Sequence, residues 1–190
     1  MRALALVPLL ALTGHPVSTE SGIQPVGDVI VKVDCTAGSG TAFRVGPTEL
    51  ISVAHVATMA GCTINGAPFT ITYRHGDFTA LKVEKPSDAW LKIDCSGFVP
   101  RHHYEAFGFA RGLDSETSTD LTAIGLSQDG EAMLLGVYEV QPGMSGGPVV
   151  DAGSGEVVGT VNAANWEAGL SFSTPLKNTK LCPVENTNGI

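Results

Sequence analysis

Beyond residue 15, no stretch of the chain keeps a helical spacing of apolar residues for more than about two turns. Glycine (23 residues) and proline (11 residues) are instead spread along its length. Short apolar runs separated by such turn residues are typical of β-strands joined by tight connections. Because 43% of the residues are apolar and only 16% are charged, disorder is disfavoured. The sequence therefore predicts an all-β protein.

The chain divides into a leader-like segment and two groups of strands. Residues 1–14 hold one arginine and then an almost unbroken apolar run, which is typical of a secretory signal and too short to span a bilayer. An apolar arm and a remnant of a longer polyprotein are the alternatives. Residues 15–27 are polar and linker-like, so we expect 1–27 to lie outside the fold. A break at Pro100 then separates about six predicted strands from six more.

The run from Gln141 to Val150, QPGMSGGPVV, places Ser145 between glycines at a sharp bend that leads into a strand. Glycine adopts backbone conformations closed to other residues and lets the chain approach a ligand closely. Nucleophilic acyl transfer needs an exposed hydroxyl beside backbone N–H groups that stabilise the oxyanion. A glycine-rich hairpin turn is the alternative interpretation of this run.

A histidine lies at the end of a predicted hairpin upstream. Residues 39–45 (SGTAFRV) form the first strand, Gly46-Pro47 the turn, and the apolar run from Leu50 to Val53 a second strand that leads into His55. A lone histidine is more often a packed or surface side chain. Together with the serine run, it indicates a base for nucleophilic catalysis.

At these two places the chain resembles the chymotrypsin-fold (trypsin-like) serine proteases, which carry a hairpin ending in Ala-His and a Gly-x-Ser-Gly-Gly-Pro loop. The resemblance covers residues 28–178. It implies two antiparallel six-stranded Greek-key barrels, over 28–100 and 101–178, with the active site in the cleft between them and a tail over 179–190. In compactness the chain is similar to the HtrA-type proteases and to small viral or bacterial serine proteases.

The resemblance also implies the roles of individual residues. His55 would be the general base, Ser145 the nucleophile, and the N–H groups of Gly143 and Ser145 the oxyanion hole. Met144 stands where zymogen-activated trypsins carry an acidic residue, so activation by a newly cut N-terminus is disfavoured. The implied activity is endopeptidase cleavage of a polypeptide substrate through an acyl-enzyme.

Two aspartates compete for the third position of the triad, since Asp77 and Asp88 each begin a stretch resembling the family's Asp-apolar-apolar-Leu pattern. In the family, a two-stranded hairpin lies between the histidine and the acid. Residues 69–73 and 78–83 read as those strands, with Asp77 in the turn between them and Asp88 just after the second. The sequence therefore predicts Asp88 as the acid, with Asp77 as the alternative.

The resemblance assigns the substrate-binding residues as well. Glu139 would lie at the base of the primary pocket, where a carboxylate favours arginine or lysine on the acyl side of the cut bond. In the alternative interpretation, the glutamate fills the pocket or turns outward. Val161 stands where glutamate-cleaving relatives carry a histidine, which disfavours that preference. Asn162, Ala163 and Ala164 would form a strand edge that pairs with the substrate backbone. Ala164 and Gly169 would line the walls of the pocket.

Four cysteines would permit two disulfides in an oxidising compartment. Cys35 and Cys62 bracket the histidine hairpin, as a disulfide does in secreted members of the family, and Cys95 with Cys182 could tie the tail to the first barrel. Free thiols are the alternative. The expected location is secreted or extracytoplasmic, with a polyprotein-derived viral protease as the alternative.

The remaining partners are constrained by charge. A net charge of −8 without a basic cluster disfavours nucleic-acid binding. No cofactor is implied, and Cys95 with His102 and His103 is too sparse for a zinc site. Two other functions compete: a catalytically weak or inactive binding module on the same fold, and an esterase. The esterase is disfavoured because its serine elbow needs a strand-to-helix turn, and no helical pattern follows Ser145.

Overall fold

A computed structural model describes residues 28–136, 140–165, 167–177 and 179–182. Within these ranges the chain is almost entirely strand, which confirms the all-β prediction. The helical elements there are a four-residue helix, α1 (Ala54–Ala57), and a 3₁₀ turn at Ala110–Gly112. The strands are β1 Ile30–Cys35, β2 Gly38–Arg44, β3 Glu49–Val53, β4 Thr63–Ile64, β5 Thr70–His75, β6 Phe78–Lys82, β7 His103–Gly108, β8 Thr117–Leu126, β9 Ala132–Gly136, β10 Pro148–Asp151, β11 Val157–Asn165 and β12 Leu170–Pro175.

The strands form two antiparallel bodies of six. The first is a curled sheet in the order β4-β1-β2-β3-β6-β5, and the second is a closed barrel in the order β10-β11-β12-β9-β8-β7. Most pairs join strands that follow one another in the chain, as expected where tight turns connect short strands. This is consistent with the two-barrel architecture that the resemblance implies. The second body is a closed barrel, whereas the first is a curled six-stranded sheet.

One apolar cluster is shared by the two bodies. Phe43 and Ile51 of the first sheet pack in the same buried cluster as Phe107 and Val157 of the second barrel. Each body also has a cluster of its own. Burial of a common core fixes the relative position of the facing ends of the strands, because burying apolar surface is the main stabilising term of the fold.

Both disulfides suggested by the sequence are present. Cys35 is bonded to Cys62, and Cys95 to Cys182, so the free-thiol alternative is wrong. The second bond joins the connection between the two bodies to the end of the described chain. Lys180 also attaches this end of the described chain to the first sheet, since its ammonium lies 2.5 Å from the carboxylate of Glu49 on β3.

Among the described residues, no helix has the length and apolar character needed to cross a membrane.

Candidate active site

One carboxylate contacts both the imidazole and the backbone of His55. His55 lies on α1, directly after β3, and its ring is about half exposed (48%). Its Nδ1 is 2.7 Å from Oδ2 of Asp77, and its backbone N–H donates to Oδ1 of the same residue at 2.9 Å. The ring is thereby oriented relative to its own backbone. Its other nitrogen, Nε2, makes no hydrogen bond within the described part of the chain.

The register of two antiparallel strands brings Asp77 to this position. β3 pairs with β6 so that Val53 lies opposite Phe78. The residues just after Val53 therefore meet the residue just before Phe78, which is Asp77. The Asp77 carbonyl also accepts a hydrogen bond of 2.7 Å from the N–H of Ala54. In an antiparallel pair, the end of one strand always lies beside the start of its neighbour.

The structure thus places Asp77, and not the predicted Asp88, beside His55. Asp88 follows the far end of β6, where it lines a pocket with Arg44 and Lys85, and His55 is not part of that lining. The strands themselves were predicted near their observed positions. The β5–β6 turn, which holds Asp77, lies at the same end of the sheet as His55, whereas Asp88 follows the opposite end of β6.

Burial acts on Asp77 to raise its pKa, but the hydrogen bonds from the His55 ring and the N–H of His55 lower it. Attraction to the imidazolium and the hydrogen bond from Ala54 act in the same direction. The net result is a pKa below the ordinary value of an aspartate. The carboxylate therefore stays ionised near neutrality, as a partner for an imidazolium must.

The serine loop adopts a conformation that its glycines make accessible. Gly143 has φ +93° and Gly146 has φ +86°, in a region that side chains with a Cβ rarely occupy. A Cβ on Gly146 would lie 2.2 Å from the carbonyl oxygen of Thr41 and 3.2 Å from the N of Val53. The loop of the second barrel therefore lies directly against the end of β3, two residues before His55.

Two N–H groups of this loop are turned outward. The Pro142 carbonyl accepts from the N–H of Arg111 (2.5 Å), and the Met144 carbonyl accepts from the N–H of Gly147 (2.9 Å). The carbonyl and N–H of a trans peptide point in opposite directions. The N–H groups of Gly143 and Ser145 consequently face away from these bonds, and within the described residues neither has a hydrogen-bond partner. Such unpaired donors are what an oxyanion hole requires.

The hydroxyl of Ser145 donates to the carbonyl oxygen of Asn162 at 3.4 Å, so β11 lies beside this serine. Asn162 lies at an irregularity between Val161 and Ala163 in the pairing of β11 with β12. Pairing of β11 with β10 ends at Thr160. The opposite edge from Asn162 onward therefore has no strand partner within the described residues, and Ala163 is exposed.

Of the other predicted substrate-binding residues, the structure describes Ala164 and Gly169 but not Glu139. Ala164 pairs with Ser171. Gly169 (φ +62°) precedes β12, and a Cβ added to it would have no other atom within 4 Å. Glu139 lies outside the described residues. One carboxylate that sequence reasoning missed, Glu131, accepts a hydrogen bond from the side-chain amide of Asn162. No motif marks Glu131, because the contact depends on two strands that are remote in sequence.

Several solved structures share this fold. The inactive form of the Rv3671c protease from M. tuberculosis, in a serine-to-alanine mutant, matches with a TM-score of 0.66 and 19% identity over 78% of this chain and 81% of that one. The active form of the same protease gives a TM-score of 0.63 and 23% identity, with coverage of 78% and 76%. The HtrA-type protease AlgW, solved with a tripeptide, gives 0.65 and 20%, covering 82% of this chain and 57% of that one.

A serine endoprotease from Yersinia pestis is similar to the same degree, with a TM-score of 0.65, 16% identity, and coverage of 78% of this chain and 58% of that chain. The chain therefore has the chymotrypsin-like fold of these serine proteases. No protein-family model matches the chain, and no curated protein sequence is significantly similar to it.

Proposed function

We propose that the protein is a serine endopeptidase in which His55, Asp77 and Ser145 form the catalytic triad. The observation that carries the proposal is the 2.7 Å contact between Nδ1 of His55 and the Asp77 carboxylate. This contact fixes the tautomer that leaves Nε2 free to accept a proton, which is the state a general base needs.

The reaction would follow from these positions. The Ser145 oxygen attacks the substrate carbonyl carbon, while its proton passes to Nε2 of His55. The carbonyl oxygen becomes an oxyanion, which the N–H groups of Gly143 and Ser145 stabilise by roughly 3 kcal/mol per donor. The imidazolium then returns the proton to the leaving amine as the C–N bond breaks. Water releases the acyl group from Ser145 by the same steps in reverse order.

The free edge of β11 supports a peptide as the substrate. Extended peptides bind by adding a strand to an exposed sheet edge, where backbone hydrogen bonds give affinity. Asn162 and Ala163 offer such an edge next to the nucleophile. For the cut residue we retain the proposal that Glu139 favours arginine or lysine. A cleavage profile on a peptide library tests this, and a profile without basic enrichment excludes it.

Two disulfides support an oxidising compartment, because such bonds persist mainly in secreted or extracytoplasmic proteins. We therefore propose secretion or export. Expression with and without reducing agent, followed by thiol counting, tests whether the bonds form.

Labelling by a fluorophosphonate separates an active protease from an inactive binding module. We expect stoichiometric labelling of the wild type and none of Ser145→Ala. Ser154→Ala is the matched control, since Ser154 is exposed in the turn between β10 and β11, and it should label as the wild type does. A folded wild-type protein that takes up no label contradicts the proposed activity and favours the binding module.

A further inference from the structure

Thr41 lies on β2 of the first sheet and is fully buried, with 0% of its surface exposed. Its hydroxyl faces the second barrel. The Oγ1 atom donates to the carbonyl of Gly143 at 2.7 Å and accepts from the N–H of Phe109 at 3.1 Å. The hydroxyl therefore serves as both donor and acceptor across the boundary between the two bodies.

The backbone of Thr41 makes two more contacts in the same place. Its N–H donates to the carbonyl of Ser145 at 2.8 Å, and its carbonyl accepts from the buried hydroxyl of Ser52 at 2.7 Å. Ser52 lies on β3, three residues before His55. One residue thus connects the strand that carries the histidine with the loop that carries the serine.

These contacts hold the two carbonyls of the serine loop that receive no hydrogen bond from Arg111 or Gly147. The Pro142 and Met144 carbonyls are held by Arg111 and Gly147, as described above, whereas the Gly143 and Ser145 carbonyls are held by Thr41. With both sets in place, the carbonyls of four successive residues are fixed. The hydroxyl is the only side-chain group among these four donors. Its removal would leave the half-buried Gly143 carbonyl without this donor. The peptide next to the first oxyanion N–H would then be held only through the hydrogen bond from the N–H of Met144 to the Gln141 carbonyl.

We propose that Thr41 is a positioning residue, whose hydroxyl holds the oxyanion loop of the second barrel against the first sheet. This role rests on the proposed protease function. Oxyanion donors act on charge that appears only in the transition state, so their misplacement lowers kcat and leaves ground-state binding intact. Thr41 does not touch the substrate, and its effect passes through Gly143.

Thr41→Val keeps the shape of the side chain and removes the hydroxyl. We expect kcat for a peptide substrate to fall by about 10- to 100-fold, as for a small misplacement of reacting groups, with KM within about twofold. The rate of fluorophosphonate labelling should fall by the same factor. Thr41→Ser, which keeps the hydroxyl, should restore most of kcat. Thr160→Val is the matched control: Thr160 is equally buried, and its hydroxyl has no partner within the described residues.

If Thr41→Val fails to fold at the assay temperature, Thr41→Ala and Thr41→Ser give the same comparison, since they differ only in the hydroxyl. Equal kcat for the variants with and without a hydroxyl overturns the role of Thr41, as does a loss confined to KM. A wild type that takes up no label overturns the proposed function itself, and with it this role. A labelled wild type with an unchanged Thr41→Val overturns the role of Thr41 alone.

Discussion

Asp77 contacts both the ring and the main chain of His55, and the two contacts have different effects. The bond to Nδ1 sets the tautomer, whereas the bond from the backbone N–H fixes the carboxylate relative to α1. Because the side chain of Asp77 is only 27% exposed, water competes little for its oxygens. The pair therefore behaves as a pre-oriented unit rather than as a surface ion pair.

Asp77→Asn should lower kcat by about 10⁴-fold with little change in fold, because the amide would hold the imidazole in the wrong tautomer. The measurement is steady-state hydrolysis of a peptide substrate. Asp88→Asn is the matched control and should keep wild-type kcat. The reverse result, with Asp88→Asn inactive and Asp77→Asn active, would restore the original sequence prediction.

The lowered pKa of Asp77 also predicts a pH dependence of stability. A carboxylate whose folded-state pKa lies below its unfolded value stabilises the fold at pH above the unfolded value and loses that contribution as the pH falls through the folded value. The free energy of unfolding of the wild type should therefore exceed that of Asp77→Asn near neutrality. The difference should shrink as the pH drops below 3.8, the ordinary value. Urea titrations at a series of pH values test this, and a difference that grows on acidification contradicts it.

At the scale of elements, the serine loop depends on glycines that leave room for the first sheet. An alanine in the left-handed conformation costs roughly 1–2 kcal/mol. Gly146→Ala should lower the free energy of unfolding by well over this amount, because the methyl group would also collide with the Thr41 carbonyl. Gly130→Ala is the matched control, since its φ is +82° and nothing lies within 4 Å of the added Cβ. Urea unfolding of both variants gives the comparison. Equal losses would show that the close approach of the loop is unimportant.

The sequence predicts strands well where their pattern is local. The expected strands 50–53 and 78–83 coincide closely with β3 and β6, and the expected turn at Gly46-Pro47 lies between β2 and β3. The pairing between strands is not predicted by such local patterns. The alignment of Val53 with Phe78 joins residues that are remote in sequence, so no local pattern signals which aspartate meets His55. That is why motifs could single out Ser145 and His55, whereas the aspartate that lies beside His55 could not be found in this way.

At the scale of the whole molecule, the two disulfides close loops of very different size. The separation is 27 residues for Cys35–Cys62 and 87 for Cys95–Cys182. The bond that closes the longer loop restricts the unfolded chain more. Cys35–Cys62 lies within the first body, whereas Cys95–Cys182 joins the C-terminal segment to the connection between the two bodies.

Replacing both Cys95 and Cys182 by serine should lower the free energy of unfolding by about 4–5 kcal/mol, against about 3–4 kcal/mol for the same change at Cys35 and Cys62. Chemical denaturation of the two double variants under oxidising conditions measures both losses. A smaller loss for the 95–182 pair than for the 35–62 pair would mean that the C-terminal segment contributes little to the fold.

The sequence by itself determined the all-β class, the glycine-rich loop that carries Ser145 and the position of His55 at the end of its hairpin, because each is encoded in contiguous residues. Tertiary structure alone decided the partner of the histidine, the contact of Thr41 with the serine loop and the carboxylate that meets Asn162. Each of these depends on which distant strands pair and in what register. Burial of apolar side chains from distant segments, such as Phe43 and Phe107 in one cluster, favours the observed pairing, and no single segment contains that information.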